Sequence, residues 1–143
     1  MDDLKIKIVL EKYAKMPTKA FGTDAGYDLY SNQAFTEIKP HTGECFRTGV
    51  HILIPEGYCG LLVSKSGLNV RHGITSTGLI DSQFTGEIIA KLYNNSDKSY
   101  TVFKGDKITQ IVILPIPQTE LEQVEDFEEL TERGDKGFGS SGR

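Results

Sequence analysis

Short segments in which apolar and polar residues alternate are the feature that most limits how this chain can fold. A period of two sends successive side chains to opposite faces, which is typical of β-strands with one buried face. Gly, Pro, Asn and Asp bound the segments. The predicted strands are an opening segment at Lys5–Ile8, then Cys45–Pro55, Tyr58–Val63, Glu87–Tyr93, Ser99–Phe103 and Lys107–Leu114.

The spacing of these turn signals predicts an all-β domain. Turns recur about every 8–12 residues, which is typical of a sandwich or barrel. Helical patterns long enough to connect parallel strands are missing from the sequence, so an antiparallel arrangement is favoured over an α/β sheet. One short helix is predicted over Ser66–Arg71, with Ser66 as its cap and Gly73 at its end. The acidic stretch 125–132 indicates a solvated linker or a weak helical turn.

Size and charge narrow the functional classes. The chain has 143 residues, which suits one domain, and a net charge of −4, which argues against bulk binding of nucleic acid. Its acidic first residues and the lack of an apolar run of about 20 residues predict an intracellular, cytoplasmic protein without a membrane span. Cys45 and Cys59 lack the spacing of a metal or redox site, and the three histidines are scattered.

Five glycine-anchored clusters punctuate the strands. They are DAGYDLYS (24–31), SKSGL (64–68), GLIDSQFTGEI (78–88), GDKITQ (105–110) and RGDKGFGSSG (133–142). Glycine allows turns with positive φ and lets a ligand approach bare N–H groups. Positive charge lies in or beside the clusters, at Lys65, Arg71, Lys107 and Arg133. This arrangement predicts an anionic ligand that is held by several loops.

Each cluster also has an ordinary interpretation when it is taken alone. The string GFGSSG (137–142) fits the dinucleotide pattern GxGxxG, but it does not connect a strand to a helix, so a Rossmann site is rejected. Such a strip can wrap phosphate oxygens, or it can be a disordered tail. SKSGL is either a generic anion site or an ordinary capped turn. An aspartate at the position of Asp81 is usually a turn residue.

Together and in this order, the five segments resemble the trimeric dUTPase family (dUTP nucleotidohydrolase) from residue 24 to residue 142. The segments GLIDSQFTGEI and RGDKGFGSSG are the most specific. The resemblance implies a β-clip or jelly-roll-like antiparallel barrel that assembles as a homotrimer, with active sites between subunits. It also implies a β-clip domain (1–125), an acidic linker (126–132) and a glycine-rich C-terminal arm (133–143) that closes over a neighbour's nucleotide.

The activity implied by the resemblance is hydrolysis of dUTP to dUMP and pyrophosphate. Asp81 matches the catalytic aspartate that activates a water for attack on the α-phosphorus. Asp28 matches the aspartate that holds Mg²⁺ through water, with the triphosphate as the main ligand. The implied phosphate-binding residues are Lys65, Ser66, Gly67, Gln110, Arg133, Ser140 and Ser141. The implied nucleoside-binding residues are Gly78, Leu79, Ile80, Phe84, Ile89 and Phe138, with Phe84 against the deoxyribose and Phe138 stacked on uracil.

The sequence departs from the family's pattern in three places. Ser64-Lys65 stand where the family usually has Pro-Arg, so the bidentate fork of arginine is lost. Phe84 replaces the commoner tyrosine, and the stretch 72–78 is short. Two alternatives stay open at this point: a dCTP deaminase of the same fold, and a nucleotide-sensing regulatory module that recruits a protein partner.

Overall fold

Strands and one short helix form the body of this chain. The structure is a computed structural model that describes residues 3–139 and 142. In chain order the elements are β1 (Lys7–Leu10), β2 (Gly26–Tyr30), β3 (Thr36–Ile38), β4 (Gly43–Leu53), β5 (Tyr58–Val63), α1 (Ser66–His72), β6 (Ile74–Ile80), β7 (Glu87–Asn94), β8 (Tyr100–Val102) and β9 (Lys107–Pro115).

The strands predicted from alternation are all present, with ends that differ from the prediction by a few residues, and β2, β3 and β6 are additional. The predicted helix cap was wrong. Lys65 occupies the cap position of α1, without a side-chain cap hydrogen bond, and Ser66 is the first helical residue. Gly73 ends the helix as expected, with a φ of 68° that suits glycine.

The strands build one large sheet and one small sheet. The large sheet has the order β1-β4-β7-β6-β5-β9-β2, and the small one pairs β3 with β8. Each pairing of neighbouring strands is antiparallel. Neighbours in the sheet are mostly distant in sequence, which is the connectivity of a jelly-roll-like fold. The predicted antiparallel all-β class is therefore confirmed.

The large sheet curls so that its two ends share one core. Leu29 of β2 and Val50 of β4 are both almost fully buried and belong to the same apolar cluster as Leu62 and Ile111. An apolar cavity of about 140 Å³ lies among side chains from both ends of the sheet. Burial of each such side chain contributes about 1.5–3 kcal/mol, so curling stabilises the body.

A second core lies under the small sheet. Phe46 of β4 is fully buried there with Ile38 of β3 and Val102 of β8. Ile74 and Leu92 extend this cluster along β6 and β7. The small sheet therefore closes one side of the barrel.

The chain beyond β9 lies outside both cores. Residues 117–139 contain no helix or strand and are exposed, so the acidic stretch 125–132 forms no helical turn and is solvated. Within the described ranges, no helix has the length and apolar character needed to cross a membrane.

Candidate active site

A buried carboxylate with two lysines marks the first part of the site. Asp28 of β2 is 4% exposed, and its carboxylate forms an ion pair with the ammonium of Lys65, which follows β5. The ammonium of Lys107, at the start of β9, lies 3.3 Å from the other carboxylate oxygen. Because β9 lies between β5 and β2, the fold brings these three charged side chains together. Their combined charge is positive, which suits an anionic ligand.

Gln110 connects the strands around this carboxylate. It is the cross-strand partner of Asp28, and its Nε2 donates to the backbone oxygen of Ser64 at 3.0 Å. A Cβ built on Gly26 would lie 2.6 Å from the Oε1 of Gln110. Glycine is therefore needed at residue 26 for the close approach of a side chain, a use that differs from the positive φ and the ligand approach predicted from the sequence.

Hydroxyl groups hold the end of β5 behind the lysine. The Oγ of Ser64 accepts from the backbone N–H of Ser76 at 2.9 Å, and Ser76 Oγ lies 2.8 Å from Thr109 Oγ1. Thr109 in turn donates to the backbone oxygen of Val63 at 3.0 Å. Sequence reasoning did not assign these hydroxyl residues to the site, and it named Lys107 only as a positive charge near the clusters, without a specific role. The sequence feature that could have identified them is a polar residue within an apolar strand pattern, as at Thr109.

The start of α1 lies beside this group of residues. Ser66 and Gly67 are exposed there, and no atom lies within 4 Å of a Cβ built on Gly67. The first backbone N–H groups of a helix have no partner inside the helix. The segment 65–67 therefore offers an ammonium, a hydroxyl and open N–H groups on one surface.

Asp81 lies on the turn that connects β6 to β7. It follows Ile80 directly and is exposed. The turn is held by the N–H of Gln83, which donates to the backbone oxygen of Ile54 at 3.1 Å, and by a φ of 68° at Gln83. The ring of Phe84 folds back over Gly86, where a Cβ would collide with it.

Behind this turn, the two strands separate. The ladder between β6 and β7 ends at the pair Ser76–Leu92. From there β6 pairs with β5, and β7 pairs with β4. In the part of the chain that the structure describes, the facing edges of 77–80 and 87–91 share no backbone hydrogen bond. These two edges border a space, hereafter called the slot, in which the main-chain N–H and C=O groups are free.

Exposed apolar side chains border this slot. Leu79, Phe84 and Ile89 are 63%, 46% and 45% exposed. Gly78 lies beside them, opposite Leu62 of β5. The slot therefore combines unpaired backbone polar groups with apolar walls, which is the character of a small-molecule site.

The two aspartates are far apart within one chain. Across β9, Asp28 is level with Val63, whereas Ile80 lies opposite Gly60. Asp81 is therefore about 13 Å further along the strands and about 14 Å across them, measured on the sheet. One chain thus holds two half-sites rather than one complete site.

In the described part of the C-terminal arm, the two predicted residues contact neither half-site: Phe138 is fully exposed, and Arg133 Nε donates to the backbone oxygen of Lys136 at 2.8 Å. The predicted phosphate-binding residues Ser140 and Ser141 lie outside the described residues. Among the residues described, no three His, Cys, Asp or Glu side chains cluster in a way that could hold a metal ion.

Comparison with known proteins places these features among relatives. A family model described as dUTPase matches residues 12–142. The deoxyuridine 5'-triphosphate nucleotidohydrolase of Candida albicans is 42% identical over 132 residues, which cover 90% of this chain and 82% of that protein. The corresponding protein of Kluyveromyces lactis is 41% identical over 133 residues, which cover 91% of this chain and 88% of that protein.

Solved structures agree with the sequence comparison. The dUTPase of Staphylococcus bacteriophage 80alpha with dUPNHPP is similar with a TM-score of 0.91 and 36% identity, covering 97% of this chain and 99% of that chain. A dUTPase variant from phage phi11 of S. aureus, described with a structural Mg(II) ion, has a TM-score of 0.81 and 31% identity, covering 88% of this chain and all of that chain.

Proposed function

The chain belongs to the dUTPase family, and on this premise we propose that it hydrolyses dUTP to dUMP and pyrophosphate. The observation that carries the proposal is the slot between β6 and β7, with Asp81 on the turn at its end. A nucleoside fits a slot of free main-chain groups and apolar walls, and the carboxylate stands where the slot meets solvent. The two relatives at 41–42% identity are deoxyuridine 5'-triphosphate nucleotidohydrolases, which supports the same substrate.

Uracil is read by the backbone in this proposal. A main-chain N–H and C=O near Gly78 and Ile89 match the edge of uracil, whereas cytosine would leave them unpaired. Sites that depend on such polar pairing discriminate by about 10⁴–10⁵. Leu79 and Ile80 form the adjoining wall, and the ring of Phe84 lies against the deoxyribose, leaving no room for a 2′-hydroxyl.

Asp81 acts as the general base. Its exposed carboxylate accepts a proton from a water, which then attacks the α-phosphorus in line with the departing pyrophosphate. A positioned general base typically contributes a factor of about 10²–10⁴. The turn fixes this carboxylate, because Gln83 is bonded to the strand end at Ile54.

The phosphates are held by the other half-site. Lys65, Ser66 and Gly67 provide charge, a hydroxyl and N–H groups, and Gln110 adds an amide. Lys107 extends the positive charge, since its ammonium already lies beside Asp28. These donors stabilise the charge that develops on the triphosphate during transfer.

Asp28 fits a magnesium ion that arrives with the nucleotide. It offers a single buried carboxylate, and no cluster of three candidate ligands occurs in the described part of the chain. Mg²⁺ keeps several waters and binds phosphates with few protein carboxylates, which suits this donor set. When bound, the ion would neutralise phosphate charge. Lys65, which pairs with Asp28, is able to exchange the carboxylate for a phosphate oxygen.

A homotrimer completes the site in this proposal. The two half-sites of one chain are separated, so the Asp81 turn of one subunit serves the Asp28 half-site of another. The arm 133–143, beyond the linker 126–132 and the domain 1–125, closes over a neighbour. The exposure of Phe138 supports this arrangement, since no described residue of its own chain covers the ring that would stack on uracil. Arg133, Ser140 and Ser141 would then reach the phosphates.

A pyrophosphate-release assay tests the proposed function. The panel is dUTP, UTP, dTTP and dCTP, each with and without Mg²⁺. We expect release from dUTP alone, and a marked decrease without Mg²⁺. Ammonia release from dCTP would instead support the deaminase alternative. Binding of dUTP without hydrolysis, coupled to capture of a protein partner, would support the regulatory module.

A further inference from the structure

His51 on β4 contacts two acceptors at once. Its Nδ1 lies 2.8 Å from the backbone oxygen of Thr85, and its Nε2 lies 2.8 Å from the Oε2 of Glu11. A backbone oxygen and a carboxylate oxygen can only accept, so both ring nitrogens must donate. A neutral imidazole has one donor, whereas an imidazolium has two. The geometry therefore requires the charged form of His51.

The surrounding charges match this requirement. Arg47 donates to Glu11 Oε1 at 3.0 Å and to Glu87 Oε1 at 3.0 Å. Glu87 also accepts from the backbone N–H of Gly49 at 2.8 Å, inside the bulge where the β4–β7 register shifts. The carboxylates of Glu11 and Glu87 thus face two cations, the guanidinium of Arg47 and the imidazolium of His51. Lys7 lines the same groove as His51 and adds a further positive charge at its rim.

The pKa of His51 agrees with the geometry. It is raised above its ordinary value, first by the hydrogen bond to the backbone oxygen of Thr85 and then by the hydrogen bond to Glu11. The same network raises the pKa of Arg47, chiefly through Glu87. The imidazolium of His51 therefore persists to higher pH than that of an ordinary histidine.

The oxygen that His51 holds belongs to the active-site turn. Thr85 lies between Phe84, whose ring is proposed to face the deoxyribose, and Gly86, over which that ring folds. A shift of the Thr85 backbone would move the ring directly. Asp81 lies further away, at the other end of the same turn.

We propose that His51, as an imidazolium, is a positioning residue that fixes the turn 81–86 and thereby sets discrimination against the 2′-hydroxyl. The inference rests on the proposed function, because it assigns a role in dUTP recognition. His51 touches no substrate. It acts through Thr85 and Phe84, so its loss should affect sugar selectivity and KM more than the chemical step.

The sign of the pH dependence follows from the raised pKa. Both hydrogen bonds of His51 are present below the ordinary pKa of histidine, about 6.5. One of them is lost as the pH rises through the raised pKa of His51 in the folded protein. Deprotonation leaves one donor for two acceptors. Wild-type KM for dUTP should therefore be low below about pH 6.5 and should rise as the pH passes through the raised pKa of His51.

Steady-state kinetics of His51→Ala test the proposal, from about pH 6 to about pH 9, with dUTP and UTP as substrates. His41→Ala is the matched control, because His41 also pairs with a carboxylate, that of Asp97 at 2.8 Å, but on exposed loops. We expect His51→Ala to raise KM for dUTP about tenfold near pH 6.5, the factor of one charged hydrogen bond. Its preference for dUTP over UTP should fall too.

The ratio of mutant to wild-type KM should decrease as the pH rises, because neutral His51 keeps only one of its two hydrogen bonds. Ionisation of the substrate affects both proteins equally and cancels in this ratio. A ratio that stays constant with pH, or unchanged selectivity, would overturn the proposal. If His51→Ala does not fold, Glu11→Gln serves instead, because it keeps the shape but removes the charge. In Glu11→Gln, the rise of KM should occur at lower pH than in wild type, because Glu11 no longer raises the pKa of His51.

A measurement independent of turnover separates this inference from the proposed function. NMR titration of the histidine rings, assigned with the two alanine variants, should show His51 titrating above about 6.5 and shifting down in Glu11→Gln. Titration of His51 at or below that value would refute the imidazolium with two hydrogen bonds, even if the protein is an active dUTPase. Absence of dUTP hydrolysis with a raised His51 pKa would instead refute the function.

Discussion

Gly26 leaves the space that the side chain of Gln110 occupies, because a Cβ at residue 26 would lie 2.6 Å from Gln110 Oε1. Gly26→Ala should therefore displace Gln110 from the end of β5 and weaken the phosphate half-site. We expect kcat/KM for dUTP to fall about tenfold, as for loss of one well-placed donor. The control is Gly22→Ala, since no atom lies within 4 Å of a Cβ there. Equal activity of the two variants would contradict the role given to Gln110.

Asp81→Asn should remove hydrolysis and leave binding. The amide keeps the size of the side chain but cannot accept the proton of the attacking water, so kcat should fall by about 10²–10⁴ or more. Binding of a non-hydrolysable dUTP analogue, measured by calorimetry, should stay within a few-fold of wild type. Asp97→Asn, on another exposed loop, controls for loss of a surface charge. Substantial turnover by Asp81→Asn would assign the base elsewhere.

Phe138→Ala should decrease turnover without affecting stability. The ring is fully exposed in its own chain, so its removal costs the fold nothing, while stacking on a base is worth about 1–3 kcal/mol. The matched control is Phe127→Ala, whose ring is 80% exposed in the preceding linker. Truncation after Glu132 should have the same effect as Phe138→Ala, but larger. Normal dUTP hydrolysis by the truncated protein would exclude a closing arm.

Gly49→Ala should destabilise the fold through the β4 bulge. Gly49 has a φ of 68°, and its Cβ would lie 2.7 Å from both Ala14 Cβ and Asn32 Nδ2. Strain of this kind costs about 1–3 kcal/mol, and the collision adds to it. Gly57→Ala has a similar φ of 90° but open space around its Cβ, so it measures the strain alone. Denaturant unfolding should rank Gly49→Ala as the less stable variant; the reverse order would contradict a steric effect.

Sequence reasoning predicted the long strands because alternation is local. It did not find β6, whose sequence ITSTGLI places a buried serine and a glycine where alternation expects apolar residues. β2 was hidden in the same way, since Asp28 is a buried charge on a strand. The three residues of β3 are too few to show a period. In β2 and β6, polar side chains in the interior thus interrupt the hydrophobic pattern, whereas β9 keeps enough apolar residues to show it despite the buried Thr109.

The candidate site shows the same limit. Lys65, Gln110 and Asp28 were assigned through the family resemblance, and the structure brings these three together. Lys107 and Ser76 reach the site only through the register of β9 and β6 with their neighbours, which is set by the whole sheet and not by adjacent residues. The roles given to these side chains stay predictions until the variants are measured.

In the proposed homotrimer, the separation of Asp28 from Asp81 on the curled sheet would make catalysis a property of the assembly. A lone, newly synthesised chain carries both carboxylates but no complete centre, so folding by itself would confer no activity. The rate in a dilute solution would then depend on a power of chain concentration greater than one.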